Sequence, residues 1–298
     1  MSYARKLTHG QRCRILVYDL TSESATVVHT DSAVLFEAPN WSAGGDLILN
    51  GDGLLWRLPS GGSAPPRQIP LEGVPELNND HVLAPGSETI FLSANDGHIY
   101  EAPLHGGPGR RVTPDDGLMH FLHGVSPDGT TLAYVGIENQ RWDAGSLFTM
   151  ATDGSATTPL TPAPGGPDDG PEYSPAGDWI YFNTERFSTA PGHAQIARIR
   201  PDGSDMHRLT TDDRVNWFPH PSPDGARTVY LSYPPGTTGH PADLPVELRL
   251  VDGDAWDSPR TVAKLPGGQG TINVNSWSPD STRFAYVEYP ERNTNGGE

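Results

Sequence analysis

The chain is built from short apolar runs that alternate with polar positions and are cut at regular intervals by turn residues. Six runs carry the alternation most clearly: Leu47-Ile48-Leu49, Thr89-Ile90-Phe91-Leu92, Thr131-Leu132-Ala133-Tyr134-Val135, Trp179-Ile180-Tyr181-Phe182, Thr228-Val229-Tyr230-Leu231 and Arg283-Phe284-Ala285-Tyr286-Val287. A period of two over four to six residues predicts strands rather than helices. Each run follows a Ser-Pro-Asp-Gly turn or a near relative, starting at Ser42, Ala84, Ser126, Ser174, Ser222 and Ser278. Proline presets φ and glycine accepts positive φ, so such a turn between two apolar runs predicts a hairpin. These anchors lie 42, 42, 48, 48 and 56 residues apart.

A second turn recurs inside most repeats. Leu147-Phe148-Thr149-Met150 precedes Asp153-Gly154, and Ile196-Ala197-Arg198-Ile199 precedes Asp202-Gly203, after which Leu209-Thr210 closes the unit. Each repeat thus predicts about four strands in 40–56 residues, the period of a propeller blade. Ahead of the first anchor stand two outer-type strands, Arg14–Asp19 and Ala25–His29. The last repeat contributes only inner-type strands, around Asn273–Trp277 and Thr282–Glu288. Joining the two ends in one blade removes the free sheet edges an open array would expose. The expectation is an all-β, six-bladed β-propeller of four-stranded blades, a single domain over residues 1–298.

Composition narrows the classes. With 20 Lys and Arg against 37 Asp and Glu, the net charge is −17, which argues against nucleic acid or an anionic membrane as partner. Gly (34) and Pro (30) make up roughly a fifth of the chain, above ordinary usage but below that of low-complexity chains. The lone Cys13 excludes an intramolecular disulfide framework and a thiolate zinc cluster. The first twenty residues lack the apolar core of a signal peptide, and no segment has the length of a membrane span. The expectation is a soluble, cytoplasmic protein.

The run from Ser-Pro-Asp-Gly through an inner strand to an Asp-Gly turn and a closing Leu-Thr resembles the repeat of TolB-type β-propellers, over roughly residues 12–289. The resemblance is to the small stand-alone TolB-like proteins rather than to periplasmic TolB, which has an export signal and a separate N-terminal domain.

Alignment on the anchors shows what converges on the propeller axis. Five residues before them stand Glu37, Asn79, Phe121, Asp169, Trp217 and Asn273; three before stand Pro39, His81, His123, Pro171, Pro219 and Asn275; two before include Glu172 and His220. Asp80, His120, Asp168 and Asn216 are close by. On the same face the loop at Asn183-Thr184-Glu185-Arg186 brings Arg186 to the rim, and the loop 233–245 brings His240. Pro266-Gly267-Gly268-Gln269-Gly270-Thr271 leads into the last inner strand. The expected ligand is a small, sugar-like molecule in this channel. His81, His123 and His220 are the candidate metal ligands, with Mn or Ca the divalent ion if a cofactor is bound. His120, Arg186 and Asp169 are the candidate catalytic groups. Asn79, Glu172, Trp217, His240, Gln269 and Asn275 are the candidate substrate contacts.

The resemblance extends to oligogalacturonate lyases, in which a channel-bound manganese assists β-elimination. It implies a carbohydrate- or polyol-processing enzyme of metal-assisted lyase type, although those lyases have seven blades. The alternative is a non-catalytic platform for a protein or ligand, which a −17 surface would suit if the partner were basic. Gly106-Gly107-Pro108-Gly109 and Gly165-Gly166-Pro167 do not join a strand to a helix and read as turns. The anchor serines read as turn residues at the far face, not nucleophiles.

Overall fold

The computed structural model describes residues 4–86, 88–138, 141–162 and 166–291; Ser87 and Gly165 lie outside the described residues. The described residues are strand and turn throughout. Five antiparallel sheets have four strands each, ordered from the axis outward. Blade 1 is Phe36–Trp41, Asp46–Gly51, Leu54–Pro59 and Arg67–Ile69. Blade 2 is Leu77–Leu83, Thr89–Ala94, Ile99–Pro103 and Arg110–Arg111. Blade 3 is Leu118–Val125, Thr131–Glu138, Ser146–Ala151 and Thr158–Pro159. Blade 4 is Asp168–Tyr173, Ile180–Thr184, Gln195–Ile199 and His207–Arg208. Blade 5 is Val215–Pro221, Arg227–Tyr233, Leu244–Asp252 and Arg260–Gly267.

Blade 6 closes the ring. Arg283–Glu288 pairs antiparallel with Cys13–Asp19, from Arg14 opposite Glu288 to Asp19 opposite Arg283, and Ser24–Asp31 lies outermost. Its innermost position is filled by residues 271–277, which do not form a regular strand. They join the sheet through a Trp277–Phe284 bridge and through Ser276 and Thr271 carbonyls that accept from Ala285 and Val287 N–H. The asparagines there compete with the ladder: Asn275 Oδ1 accepts from Trp277 N–H at 3.0 Å and Asn273 Oδ1 from Gly270 N–H at 2.8 Å.

The anchor turns work as their composition predicts. Ser126, Ser222 and Ser278 donate to the aspartate two residues on, and each accepts the N–H that starts the next strand. The fourth turn residue has positive φ at Gly45, Gly129, Gly177, Gly225 and Ser281, and in the turn from Ala84 the third, Gly86, does. Those serines are committed to structure, which leaves no nucleophile among them. The closing threonines are engaged in the same way, since Thr113, Thr161 and Thr210 each accept a third-strand N–H through Oγ1, at 2.9–3.1 Å. Gly107–Pro108 is not a simple turn, since it pairs in parallel with Leu71–Glu72.

The core is divided into six apolar clusters, one at each interface between neighbouring blades. Cys13 lies in the blade 6–blade 1 cluster, fully buried. Because apolar residues fill the interfaces, the axis is left to the polar inner strands.

Candidate functional site

Between seven and two residues ahead of the anchors, the inner strands of blades 1 to 5 break register. The shifts fall between Glu37 and Asn40, Leu77 and His81, Leu122 and Gly124, Asp169 and Glu172, and Trp217 and His220. In blades 1, 4 and 5 the bulged residue has positive φ: Ala38 at 51°, Gly170 at 62° and Phe218 at 53°. The N–H groups that leave the ladder are captured. Ala38 donates to the Gly270 carbonyl at 2.8 Å, Gly170 to Asp169 Oδ1 at 2.7 Å and Phe218 to Asn183 Oδ1 at 3.1 Å. Bulges re-aim side chains, and here they bring the residues on either side of the kink to the axis.

Two polar groupings result. At the mouth, His123 Nε2 lies 3.1 Å from Asp169 and 3.9 Å from Asp80, and its Nδ1 is 3.4 Å from the Asn273 carbonyl. This contact crosses the axis, from blade 3 to blade 6. His240, on the loop 234–243, has Nε2 3.8 Å from Asp169 and Nδ1 2.5 Å from Gln269 Oε1. Gln269 in turn donates to Asn79 at 3.3 Å, and Asn79 to Glu37 at 3.4 Å. Phe218 packs against both imidazoles, at ring distances of 5.7 and 5.4 Å. In the second grouping His220 Nδ1 lies 2.5 Å from Glu172 and Nε2 2.6 Å from the Ile272 carbonyl, while Asn275 donates to Glu172 and to the Pro221 carbonyl.

The mouth cluster is electrostatically coupled. Burial, with Asp169 adding like charge, raises Asp80 to about 6 against the opposing pull of His123. His123 is raised to about 9: burial opposes the charged form, but Asp80 and Asp169 outweigh it. Asp169 is lowered despite its burial, because His123 bonds it. His123 is thus an imidazolium held between two carboxylates. Asp169 and His240 are the open members, with side chains 23% and 31% exposed, while His123 is 4% exposed.

The expected residues divide accordingly. Asn79, Asp169, His240 and Gln269 meet in one network with His123, and Glu172, Asn275 and His220 in the other. Trp217 is buried beneath His240, 4.5 Å between rings, and packs rather than lines the opening. His120 does not reach the channel. It is fully buried, with Nδ1 2.8 Å from the Gly97 carbonyl and Nε2 3.3 Å from Asp116. Standing six before its anchor, it falls on the opposite side of the pleat from the axis-facing residue five before. Asp168 and Asn216 occupy the same register and also tie strands together. Arg186 is spent on Asp168, with three hydrogen bonds of 2.7–2.9 Å, and on the Pro162 carbonyl at 2.9 Å. An arginine so engaged is a structural partner, not an anion clamp at the rim.

The expected metal set does not gather. His81 is buried, held neutral with its imidazole lowered to about 4 by burial; its ring bonds the Ile48 backbone and Nε2 meets no protein partner. His123 is charged and both nitrogens of His220 are engaged. Among the described residues no three His, Cys, Asp or Glu side chains are placed to share a metal. The donors as arranged do not fit Mn or Ca.

Two groups escaped the sequence reading of the mouth. Asp80 stands four before its anchor, outside the aligned offsets, yet it faces His123. Arg5 carries no motif at all, yet its guanidinium donates to Glu37 at 2.9 Å. A groove of about 560 Å³ along blade 5, lined by residues including Arg214, Leu244, Glu247 and Lys264, meets this region only at the ends of the loop 234–243, Pro234 and Asp243.

No family model matches the chain. Over 285 residues it is 40% identical to the uncharacterized protein Atu1656 of Agrobacterium fabrum strain C58, spanning 94% of this chain and 93% of that one. A TolB candidate solved from Agrobacterium tumefaciens superposes with a TM-score of 0.86 at 39% identity, over 94% of this chain and 99% of its own. An oligogalacturonate lyase in complex with manganese superposes with a TM-score of 0.59 at 15% identity, over 94% of this chain and 78% of its own. That likeness carries the fold alone. With six blades, the anchor turns and relatives near 40% identity over almost its whole length, the chain belongs to the TolB-like β-propeller family.

Proposed function

We propose that the propeller mouth is a small-molecule site for a polyhydroxylated, sugar-like ligand, with proton transfer of the lyase type centred on His240 and Asp169. The observation that carries this reading is the sequence Asp80, His123, Asp169, His240, drawn from four consecutive blades and linked at 3.1–3.9 Å. Gln269 Oε1 accepts only if His240 Nδ1 carries the proton, so the neutral ring turns its Nε2 lone pair toward Asp169 and the opening. In a β-elimination His240 takes the proton of the C–H bond, that electron pair forms the C=C bond as the β C–O bond breaks, and the departing oxygen takes a proton from water, while the ionised Asp169 stabilises the imidazolium that forms. His123 bonds Asp169 and keeps it charged, while Asp80 acts only through His123, which it faces on the other side. Asn79 and Gln269 supply amide groups for hydroxyls, and Phe121 with the exposed Trp142, 5.5 Å between rings, offers an aromatic face. The manganese of the oligogalacturonate lyase supports no step here, since the donors do not gather, and the chemistry is assigned to these side chains.

The test is calorimetric titration with neutral sugars, polyols and uronates, with and without EDTA. Binding of a polyol that survives EDTA, is lost in Asp169→Asn and is weakened in His240→Ala is the expected result. A protein that binds none of them refutes the site. A second reading, a platform for a protein partner, is favoured by one feature: Leu54, Trp142 and Phe187, three large apolar side chains 41%, 61% and 38% exposed, all border loops between second and third strands and so face the mouth. Leu54→Ala with Phe187→Ala separates the two, since it would abolish partner binding while leaving Asp169-dependent sugar binding unchanged.

A further inference from the structure

Arg5 fills a socket at the edge of the mouth. Its guanidinium donates to Glu37 Oε1 at 2.9 Å and to the Gln269 carbonyl, lies 3.5 Å from Asp243 Oδ1 and stacks 4.8 Å above the Tyr289 ring. A carboxylate pair, a carbonyl and an aromatic face are the four elements that recognise a planar cation. Glu37, Asp243 and Tyr289 each have a hydrogen-bond partner besides Arg5. Asn79 donates to Glu37, Gln11 to Asp243 at 2.6 Å, and Tyr289 to the Phe36 carbonyl at 2.9 Å. Gly270 completes the cradle: a Cβ there would stand 2.5 Å from both Glu37 Oε1 and the Tyr289 hydroxyl.

The occupant is bound less firmly than its socket. Residues 4–10 form no strand and are half-buried or exposed, and Lys6, the next cation, pairs with Asp52 on an exposed surface. The Arg5 side chain is itself 21% exposed, so solvent reaches the socket from outside. Glu37, by contrast, is 6% exposed, and burial raises its carboxyl against the pull of Arg5, so it stays ionised only with a cation beside it.

We propose that this socket is a guanidinium-binding site, that Arg5 is its internal occupant, and that a ligand bearing an arginine-type guanidinium takes its place beside the sugar-like site. The chemistry is shared by a small molecule such as arginine or agmatine and by an arginine side chain on a peptide. The socket does not include His240 or Asp169, the groups that carry the proton; it meets them through Gln269, whose carbonyl lines the socket while its side chain accepts from His240.

The experiment is the full chain carrying Arg5→Ala, melted with agmatine, arginine, a short arginine-containing peptide or citrulline, at matched ionic strength. The variant melts below wild type, and agmatine or arginine restores the melting temperature while the neutral citrulline does not. Rescue is lost in Arg5→Ala/Glu37→Gln. If the small cations rescue and the peptide does not, the ligand is a free guanidinium compound; rescue by both makes room for a peptide. Absence of rescue, or equal rescue by citrulline, overturns the proposal. Should Arg5→Ala not fold, hydrogen exchange on wild type decides: agmatine must accelerate exchange of the amides in residues 4–12, and unchanged exchange refutes displacement. Asp169→Asn leaves the agmatine effect intact, which separates a failure here from a failure of the sugar site.

Discussion

Replacing Arg186 with alanine tests whether the residue belongs to chemistry or to the fold. The Asp168 side chain is 0% exposed and Arg186 12% exposed. Besides the arginine, Asp168 accepts the Thr184 hydroxyl at 2.6 Å, a neutral donor that cannot balance its charge. Removing one partner of such a pair costs about 3–5 kcal/mol, because the other charge stays buried. An independent bound agrees. The carboxyl can instead take a proton, and from its ordinary value of 3.8 to neutral pH that costs roughly 4 kcal/mol at about 1.4 kcal/mol per unit. A chain of this length has an unfolding entropy near 0.6 kcal/mol/K, so the melting temperature should fall by about 5–8 °C. The pH dependence follows in sign. Asp168 is already raised, burial outweighing Arg186, so the native state binds more protons than the unfolded chain above pH 3.8. Stability from this group is therefore lost as pH rises from 3.8 through the raised value, and removing Arg186 widens that window. The deficit of Arg186→Ala should be largest at neutral pH and shrink to about 1–2 kcal/mol near pH 5. Calorimetric melts at both pH values measure it. A variant as stable as wild type but unable to bind an acidic ligand would refute the structural role.

Two further outcomes follow from the mouth. Ligand binding or turnover should be confined between about pH 6, where Asp80 gains its proton, and about pH 9, where His123 loses its own. The stabilisation that His123 provides is fully present below its unfolded value near 6.5 and is lost as pH rises through about 9, so His123→Gln should flatten the alkaline fall in melting temperature. Ala38→Gly should be neutral or stabilising by up to about 1 kcal/mol, since φ is 51° there. Ala133→Gly, in a regular buried strand, should destabilise by about 1 kcal/mol or more when both variants are unfolded in urea titrations; equal losses at both sites would show that Ala38 carries no strain.

The candidate site was legible as a ring and opaque as a set of contacts. Asn79, Asp169 and Asn273 stand five before their anchors, and that common offset was enough to send them to the axis. It did not distinguish His123, clasped between Asp80 and Asp169, from His81, turned toward blade 1 with a lowered imidazole pKa. Both stand three before an anchor, but His123 is the residue bulged out between Leu122 and Gly124 while His81 is back in register opposite Leu92, and that difference decides where each ring points. His120 and Arg186 read as catalytic because polar residues near an axis look alike in one dimension. Their partners, the Gly97 carbonyl and Asp168, lie on neighbouring strands or loops.

Blade number, strand order and ring closure came from the sequence alone, because hairpin turns and period-two strands are settled by interactions a few residues long. The Ser-Pro-Asp-Gly turn is complete within six residues, and six copies of it define six blades. Only the closed ring could decide which polar groups meet. Arg5 reaches Glu37, Gln269 and Tyr289, residues that come together when the last strand pairs with the first. His123 finds the Asn273 carbonyl across the axis on the same condition. Burial then sets the charges, raising Asp80 and lowering His81, since desolvation depends on how closely six inner strands approach one another and not on the neighbours of either residue in the chain.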